Sequence, residues 1–248
     1  RDFLDEGDTY GFVIGAGYRS GDEEERGIVT LYGADAGFDY LASLSTRTSG
    51  DIELGSGDVL PADDRSTSSL LKLGSDFADG LRAELSWQSF NGEATEPNNG
   101  QGLAGVDAFN ALVDKQIETD TLTFSLDANP AALPWLDASF TVYRTESGVS
   151  EDETGSTRRL RRDLETTGLR ASQRFGFELG AWTGALTVGG EYYEDQQDGL
   201  DSADSGEIRG GAPDAESEFT AFYGQLELDG PAPFGLPGRV IVLPGLRH

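Results

Sequence analysis

The chain contains no cysteine and no methionine among its 248 residues. The missing cysteines exclude disulfide bonds and thiolate metal sites. Histidine occurs once, as His248 at the end of the chain, where the sequence predicts an ordinary strand residue. Because hydrolysis by a Ser-His-Asp site requires a histidine beside the nucleophile, we do not expect an enzyme of that type. Nothing in the sequence marks a pair of carboxylates for glycoside hydrolysis either.

Long apolar runs are also missing. Hydrophobic residues make up 37% of the chain, and its mean hydropathy is -0.40. No run approaches the roughly 20 residues that a membrane-spanning helix requires. A membrane-spanning β-strand needs only about 10 residues, and half of them face away from lipid. The composition therefore excludes a helical membrane protein and agrees with a transmembrane β-barrel.

Positive charge is scarce. Lysine and arginine number 18 against 45 aspartates and glutamates, which gives a net charge of -27. Because nucleic acids are bound through lysine and arginine contacts to phosphate, this charge argues strongly against a nucleic-acid partner. High acidity also occurs in disordered chains, but 34 glycines and 10% aromatic residues in regular alternation favour folded β-structure.

Alternation of apolar and polar residues is the main pattern that is present. In residues 81–88, leucine, alanine and tryptophan alternate with arginine, glutamate, serine and glutamine, and residues 121–127 repeat the pattern. Successive side chains on a strand point to opposite faces, so each run has one apolar and one polar side. Strands are predicted at roughly 9–19, 27–33, 39–48, 67–75, 81–90, 119–128, 136–146, 165–175, 184–193 and 218–228, and an eleventh begins near 239.

The connections between these strands are alternately short and long. The short ones are rich in turn residues. The longer ones are acidic and lie at 49–66, 91–118, 147–164 and 194–217, with a brief one at 20–26. Outer-membrane barrels have short periplasmic turns and longer extracellular loops. The sequence therefore predicts an all-β, antiparallel transmembrane barrel wall of ten to eleven meandering strands, with lipid on its apolar side and the long connections outside the cell.

Two further structural features are predicted. Aromatic residues near the strand ends fit the aromatic girdles of a membrane barrel, with cross-strand packing as the alternative; they are Trp87, Trp135, Tyr143, Trp182, Tyr192 and Tyr193. Residues 106–115 have the pattern of a short helix within a long connection, with a loop that merely contains apolar residues as the alternative.

One basic cluster interrupts the acidic connections. It consists of Arg158, Arg159, Arg161 and Arg162. Arginine binds carboxylates and phosphates through two parallel hydrogen bonds, so the cluster is a candidate for contact with anionic groups, either the carboxylates of a ligand or lipopolysaccharide phosphates. Ion pairing with neighbouring loop acids is the alternative.

A calcium site is a second candidate, at four acids of the last long connection. Asp195, Asp198, Asp201 and Asp204 are evenly spaced oxygen ligands. They lack the glycine and terminal glutamate of an EF-hand loop, so solvated acids that repel each other are the alternative.

Several strings resemble one known family. They are SLLKLG at 69–74, ELSWQSF at 84–90, GGEYYE at 189–194 and LPGLR at 243–247. In this order and spacing they are similar to the barrel of TonB-dependent outer-membrane receptors, and most of all to haem and haemoglobin receptors. Residues 1–248 are then one partial barrel domain. We expect an internal piece of a longer protein, because no signal peptide opens the chain and its end falls within a strand pattern.

The resemblance implies the first half of a 22-stranded, plugged barrel in the outer membrane of a Gram-negative bacterium. It implies a transporter, without enzymatic activity or resident cofactor, that takes up haem or another ferric chelate. Its partners would be membrane lipid, the TonB complex through a plug outside this chain, and an extracellular haemoprotein. The family's haem-ligating histidines lie outside this chain, so no haem or metal ligand is assigned here. A siderophore receptor, a passive porin-like barrel without a plug and a soluble acidic β-sandwich are the alternatives.

Overall fold

The structure, a computed structural model, describes residues 4, 7–97, 111–202, 213–232, 234 and 236–248. Within these ranges the regular structure consists of fourteen β-strands. No helix among the described residues is long and apolar enough to cross a membrane.

The strands follow the alternating segments of the sequence and extend beyond most of them. They are β1 (Tyr10–Arg19), β2 (Glu24–Asp35), β3 (Phe38–Ser49), β4 (Ile52–Glu53), β5 (Val59–Leu60), β6 (Asp63–Ala78), β7 (Leu81–Pro97), β8 (Leu112–Ala128), β9 (Ala138–Glu153), β10 (Arg159–Leu179), β11 (Trp182–Asp201), β12 (Ala215–Pro231), β13 (Arg239–Val242) and β14 (Gly245–Arg247).

The long strands form one antiparallel meander. Its order is β1-β2-β3-β6-β7-β8-β9-β10-β11-β12-β13, and β14 also pairs with β12. The short strands β4 and β5 pair only with each other, in the connection between β3 and β6. Between β13 and β14, the carbonyl of Pro244 accepts a hydrogen bond from the amide of Leu226 at 2.9 Å. Because proline has no amide hydrogen to donate, β13 and β14 form one interrupted strand, which corresponds to the predicted eleventh.

Tight turns lie at one end of the sheet, which we call the turn end. Two-residue connections there contain Gly37, Gly80 and Gly180, each with positive φ (86°, 64° and 64°). Glycine adopts this conformation without steric cost. The opposite end, called the loop end, carries the connections 20–23, 50–62, 98–111, 154–158 and 202–214. The predicted meander and these two-residue turns are therefore confirmed. The turn-end connections 129–137 and 232–238 are longer than the loop-end connections 20–23 and 154–158, so the alternation of short and long connections is only partly observed.

Cross-strand register separates the side chains into an apolar face and a polar face. One row of partners on the apolar face consists of Leu73, Leu85, Phe124, Val142 and Leu169. The adjacent row on the polar face contains lysine, serine, threonine, tyrosine and glycine. The alternation seen in single strands therefore stays in phase across the sheet, which is the condition for a continuous apolar surface.

The apolar band crosses the sheet obliquely. Its loop-end edge lies at Leu44 on β3, whose partner on β6 is Ser69. On β8 the edge lies at Leu122, whose partner on β9 is Arg144. From β3 to β9, the loop-end edge of the apolar band therefore shifts toward the turn end. Such an offset is expected when strands tilt relative to the plane of a membrane, as barrel strands do.

The described strands enclose no apolar core. The buried hydrophobic residues are few and small, whereas Phe12, Leu122 and Trp87 are 66%, 51% and 41% exposed. In a water-soluble sandwich, a second sheet would cover this face. The described long strands form a single layer, so the soluble β-sandwich alternative is wrong.

Two sequence predictions about the loop end are also wrong. The strands continue beyond the apolar band, so the connections predicted at 91–118, 147–164 and 194–217 are shorter than expected. In the predicted helix, residues 112–115 belong to β8 and pair with residues 94–97 of β7. This ladder satisfies the backbone groups that a helix would pair internally. Residues 106–110 lie outside the described residues.

Candidate functional site

The polar face is lined by hydroxyl groups in its central rows. Paired hydroxyls lie opposite one another on adjacent strands, at oxygen–oxygen distances of 2.8 Å for Thr30 and Ser43 and 3.0 Å for Thr121 and Thr145. Further pairs are formed by Thr119 with Ser147 and Ser125 with Thr141. Cross-strand hydroxyl pairs stabilise a sheet and also leave acceptor and donor capacity for water or a solute. This face is suited to contact with an aqueous interior.

A network of ion pairs fixes the loop end of β1, β2, β3 and β6 on the polar face. Arg19 Nε donates to Asp22 Oδ1 at 2.9 Å, and Arg47 donates to Glu24 at 2.9 Å and lies 3.1 Å from Asp64. Asp22 and Glu24 are only 7% and 9% exposed. The hydrogen bond from Arg19 lowers the pKa of Asp22 below its ordinary value, so this carboxylate stays charged at neutral pH.

The apolar face changes character beyond its band. Toward the loop end of β7 to β12, the same face carries acids, which we call the acidic surface; its members are Glu93, Asp114, Glu118, Asp120, Glu146, Asp152, Asp163, Glu165, Glu194, Asp198, Glu216 and Glu218. Several acids lie directly opposite each other, as Glu194 and Glu218 do. Opposed like charges destabilise a strand pair. Ion pairs on the same face, such as Arg144 with Glu146 and Glu165, offset part of this cost.

Three of the four arginines predicted as a cluster pair with neighbouring acids. Arg158 lies 2.9 Å from Asp201, Arg159 lies 3.4 Å from Asp152 and Arg161 lies 2.7 Å from Asp163. These are the contacts that the alternative interpretation expects.

The fourth member, Arg162, lies on the polar face. Its cross-strand partners there are Val149 and Gly199. Among the described residues, Arg162 has no carboxylate within the 4.0 Å that defines an ion pair. Strand alternation therefore divides a cluster that is contiguous in sequence, because Arg159 and Arg161 point to the opposite face.

The predicted aromatic girdle is only partly compatible with the structure. Trp87 and Tyr192 lie on the apolar face near its loop-end edge, but Tyr143 and Tyr193 lie on the polar face, in one row with Phe219. The Tyr193 and Phe219 rings stack with centroids 4.9 Å apart. Tyr143 and Tyr193 therefore make cross-strand contacts instead of facing lipid, which is the alternative named above.

At the turn end, the two predicted girdle tryptophans are placed differently. Trp182 begins β11 on the apolar face, as the girdle interpretation expects. Trp135 lies in the connection between β8 and β9 and is 59% exposed.

The acids of the calcium hypothesis do not converge. Asp195 and Asp201 lie on the polar face of β11 and Asp198 lies on the other face. Asp204 lies outside the described residues. Asp195 accepts a hydrogen bond from Thr166 at 2.6 Å, and Asp201 pairs with Arg158. Within the part of the chain that the structure describes, no three histidines or acids are grouped for a metal ion.

His248 continues the strand ladder. Its amide and carbonyl each form a 2.9 Å hydrogen bond with the backbone of Phe222 on β12. The structure thus places it as a strand residue beside β14, as expected.

Comparisons with known proteins place the fold. No protein-family model matches the sequence, and no curated protein matches it. Among solved structures, the haemophore receptor HasR of Serratia marcescens, determined with its haemophore HasA and haem, matches over 99% of this chain with a TM-score of 0.82 at 20% identity. The iron transporter FrpB of Neisseria meningitidis matches over 98% with a TM-score of 0.70 at 16% identity.

A third match is the siderophore receptor PirA of Pseudomonas aeruginosa, over 96% of this chain with a TM-score of 0.64 at 13% identity. The chain spans 34%, 40% and 36% of the lengths of HasR, FrpB and PirA. Its fold is therefore that of part of a TonB-dependent receptor barrel, which confirms the fold that the sequence resemblance implied. In such a barrel the polar face lines the lumen.

Proposed function

We propose that this chain is part of the wall of an outer-membrane receptor that takes up a haem-bearing ligand by a TonB-dependent mechanism. The observation that carries the proposal is the match to the HasR fold, with a TM-score of 0.82 over 99% of the chain. The matches to FrpB and PirA, with TM-scores of 0.70 and 0.64, support uptake of an iron chelate as the variant.

The two faces of the sheet support a membrane location. The apolar face offers lipid a continuous surface, with Leu85 and Phe124 in one row. The polar face offers hydroxyl groups to a water-filled lumen. Because outer-membrane barrels place longer connections outside the cell, the loop end faces the exterior of a Gram-negative bacterium and the turn end faces the periplasm.

The proposed partners follow from the same comparison. HasR was determined with its haemophore HasA and haem. By analogy, the loop end of this chain receives an extracellular haemoprotein, and the TonB complex acts through a plug encoded outside the chain. We assign no haem ligand to a described residue. Of the predicted cluster, Arg158, Arg159, Arg161 and Arg162, only Arg162 is without a carboxylate partner among the described residues, so we retain it as the member that contacts a ligand anion.

Growth on defined iron sources tests the proposal. The intact protein that contains this chain is expressed in a Gram-negative host without its own haem receptor, with and without TonB. We expect growth on haem as the sole iron source only when both proteins are present. Growth on a ferric siderophore instead would replace haem by the siderophore variant. Uptake that persists without TonB would contradict the receptor and favour a passive pore.

A further inference from the structure

Arg26 is an exception in the charge pattern of this protein. Nearly every lysine and arginine in the described ranges lies within 4.0 Å of a carboxylate. In the same ranges, Arg26, Arg65 and Arg162 have no such partner. Arg65 shares the face of the acidic surface, whereas Arg26 and Arg162 face the lumen. In a chain with a net charge of -27, the described wall therefore leaves two lumenal arginines without a counter-charge.

Arg26 borders a hollow of about 490 Å³ on the polar face of β1, β2, β3 and β6. Three serines, Ser45, Ser66 and Ser68, contribute hydroxyl groups to it, and no carboxylate of the described residues lines it. Gly17 is the cross-strand partner of Arg26, and a Cβ built there would lie 2.6 Å from Arg26 Nε. The glycine thus leaves room for the guanidinium beside the hollow.

A second arginine, Arg47, lies beside Arg26 but is already paired with carboxylates. Arg47 is the direct cross-strand partner of Arg26 and also lines the hollow. Like charges opposite one another are unfavourable. The guanidinium of Arg47 is held by Glu24 at 2.9 Å and Asp64 at 3.1 Å, while Arg26 has neither contact. An anion in the hollow would supply the missing partner.

We propose that this hollow is a binding site for an oxyanion, a carboxylate or phosphate group carried by a small solute in the lumen. Arg26 offers two parallel N–H donors, which match the two oxygens of such a group, and the serine hydroxyls supply further donors. The inference extends the proposed uptake function by naming a chemical class for its ligand. The inference rests on the proposed function in one respect, which is that the ligand passes through the lumen. Binding of the anion itself does not require transport driven by TonB.

Calorimetric titration of the detergent-solubilised intact protein at low ionic strength tests the site, with succinate and inorganic phosphate as separate ligands. We expect at least one of them to bind, and Arg26→Gln to weaken that binding by about 10-fold or more, because charge-assisted hydrogen bonds are lost. Arg65→Gln is the matched control, since it removes the same charge from the other face. Its effect should stay below about twofold, because water and salt screen the charge across the wall.

Two further variants test the geometry. Arg26→Lys keeps the charge but loses the planar fork, so its affinity should lie between those of the native protein and Arg26→Gln. Ser66→Asp places a carboxylate on the wall of the hollow, opposite Arg47, and should abolish binding because it repels an anion in the hollow. Absence of binding of both anions to the native protein, or equal weakening by Arg26→Gln and Arg65→Gln, would overturn the proposal. Anion binding without haem-dependent growth would instead contradict the proposed function and leave the site intact.

Discussion

The two faces of β7 to β12 differ most at the loop end. On one face, the apolar band gives way to the acidic surface, where Glu194 and Glu218 lie directly opposite each other. On the other face, the central rows carry hydroxyl pairs such as Thr121 with Thr145, and Arg162 lies in a row without acids. At the loop end, most acidic side chains of these strands therefore lie on the face of the acidic surface, and few lie on the polar face.

In the proposed membrane location, this difference indicates where the lipid layer ends. Lysine or arginine on the lipid-facing side costs roughly 2–4 kcal/mol at mid-depth, and aspartate or glutamate is also unfavourable there, by less. The change from Leu122 to Asp120 along one face of β8 therefore marks the boundary of the lipid layer. The polar face needs no such change, because in the proposed barrel it lines a water-filled lumen. The different residue patterns of the two faces therefore follow from lipid on one side of the sheet and water on the other.

The largest expected effect comes from a charge within the apolar band. Leu85→Arg should destabilise the folded barrel by roughly 2–4 kcal/mol, because the guanidinium must enter lipid. Gln88→Arg on the same strand faces the lumen beside Leu70 and Thr121 and should have little effect. Urea titration of the intact protein folded into lipid vesicles measures both. Equal destabilisation by the two variants would contradict the assignment of the faces.

An intermediate effect is expected from close packing within the polar face. A Cβ at Gly168 would meet the Tyr143 ring, with Cε1 2.7 Å away. Gly168→Ala should therefore cost about 1–3 kcal/mol, because the ring must move. Gly176 lies on the same face of β10 with no heavy atom within 4 Å of an added Cβ, so Gly176→Ala is the control and should be neutral or slightly stabilising. The same urea titration should separate them. A neutral Gly168→Ala would show that the ring does not hold this position.

The smallest expected effect concerns the acidic surface. Glu218 lies opposite Glu194, whereas Glu216 lies opposite the neutral Gln196. Glu218→Gln should stabilise the protein by about 0.2–1 kcal/mol at low salt, because it removes a like-charge pair. The gain should disappear at high salt through screening. Glu216→Gln is the control and should give less. A salt-independent gain, or equal gains in both variants, would contradict electrostatic repulsion as the cause.

The strands are most predictable from the sequence where one face of the sheet contacts lipid and the other contacts water. Inside the apolar band, the contrast between Leu85 and Ser86 makes the period of two visible. Beyond the band, both faces meet water, and runs such as Arg159 to Thr166 lose that contrast. For the outer parts of β7 to β12, the sequence pattern therefore predicts loops. The helix predicted at 106–115 had the same origin, since local spacing does not reveal pairing with β7.

The candidate site was less predictable than the fold. Adjacency in sequence suggested a cluster from Arg158 to Arg162, but extension of β10 through this segment divides it between two faces. Conversely, Arg26 and Arg47 are distant in sequence and become neighbours through the register of β2 with β3. Register depends on turn geometry and on the whole hydrophobic pattern, so composition and spacing do not reveal such pairs.

Spin labelling along β7 tests the central claim most directly. The 248 residues contain no cysteine, so single cysteines can be placed at residues 82–88 without removing others from this segment. In lipid vesicles, collisions with oxygen report contact with hydrocarbon, and collisions with a water-soluble nickel chelate report contact with water. We predict oxygen maxima at Ala83, Leu85 and Trp87 and nickel maxima at the positions between them. Equal accessibility on both sets, or the opposite phase, would contradict a wall with lipid on one side and water on the other.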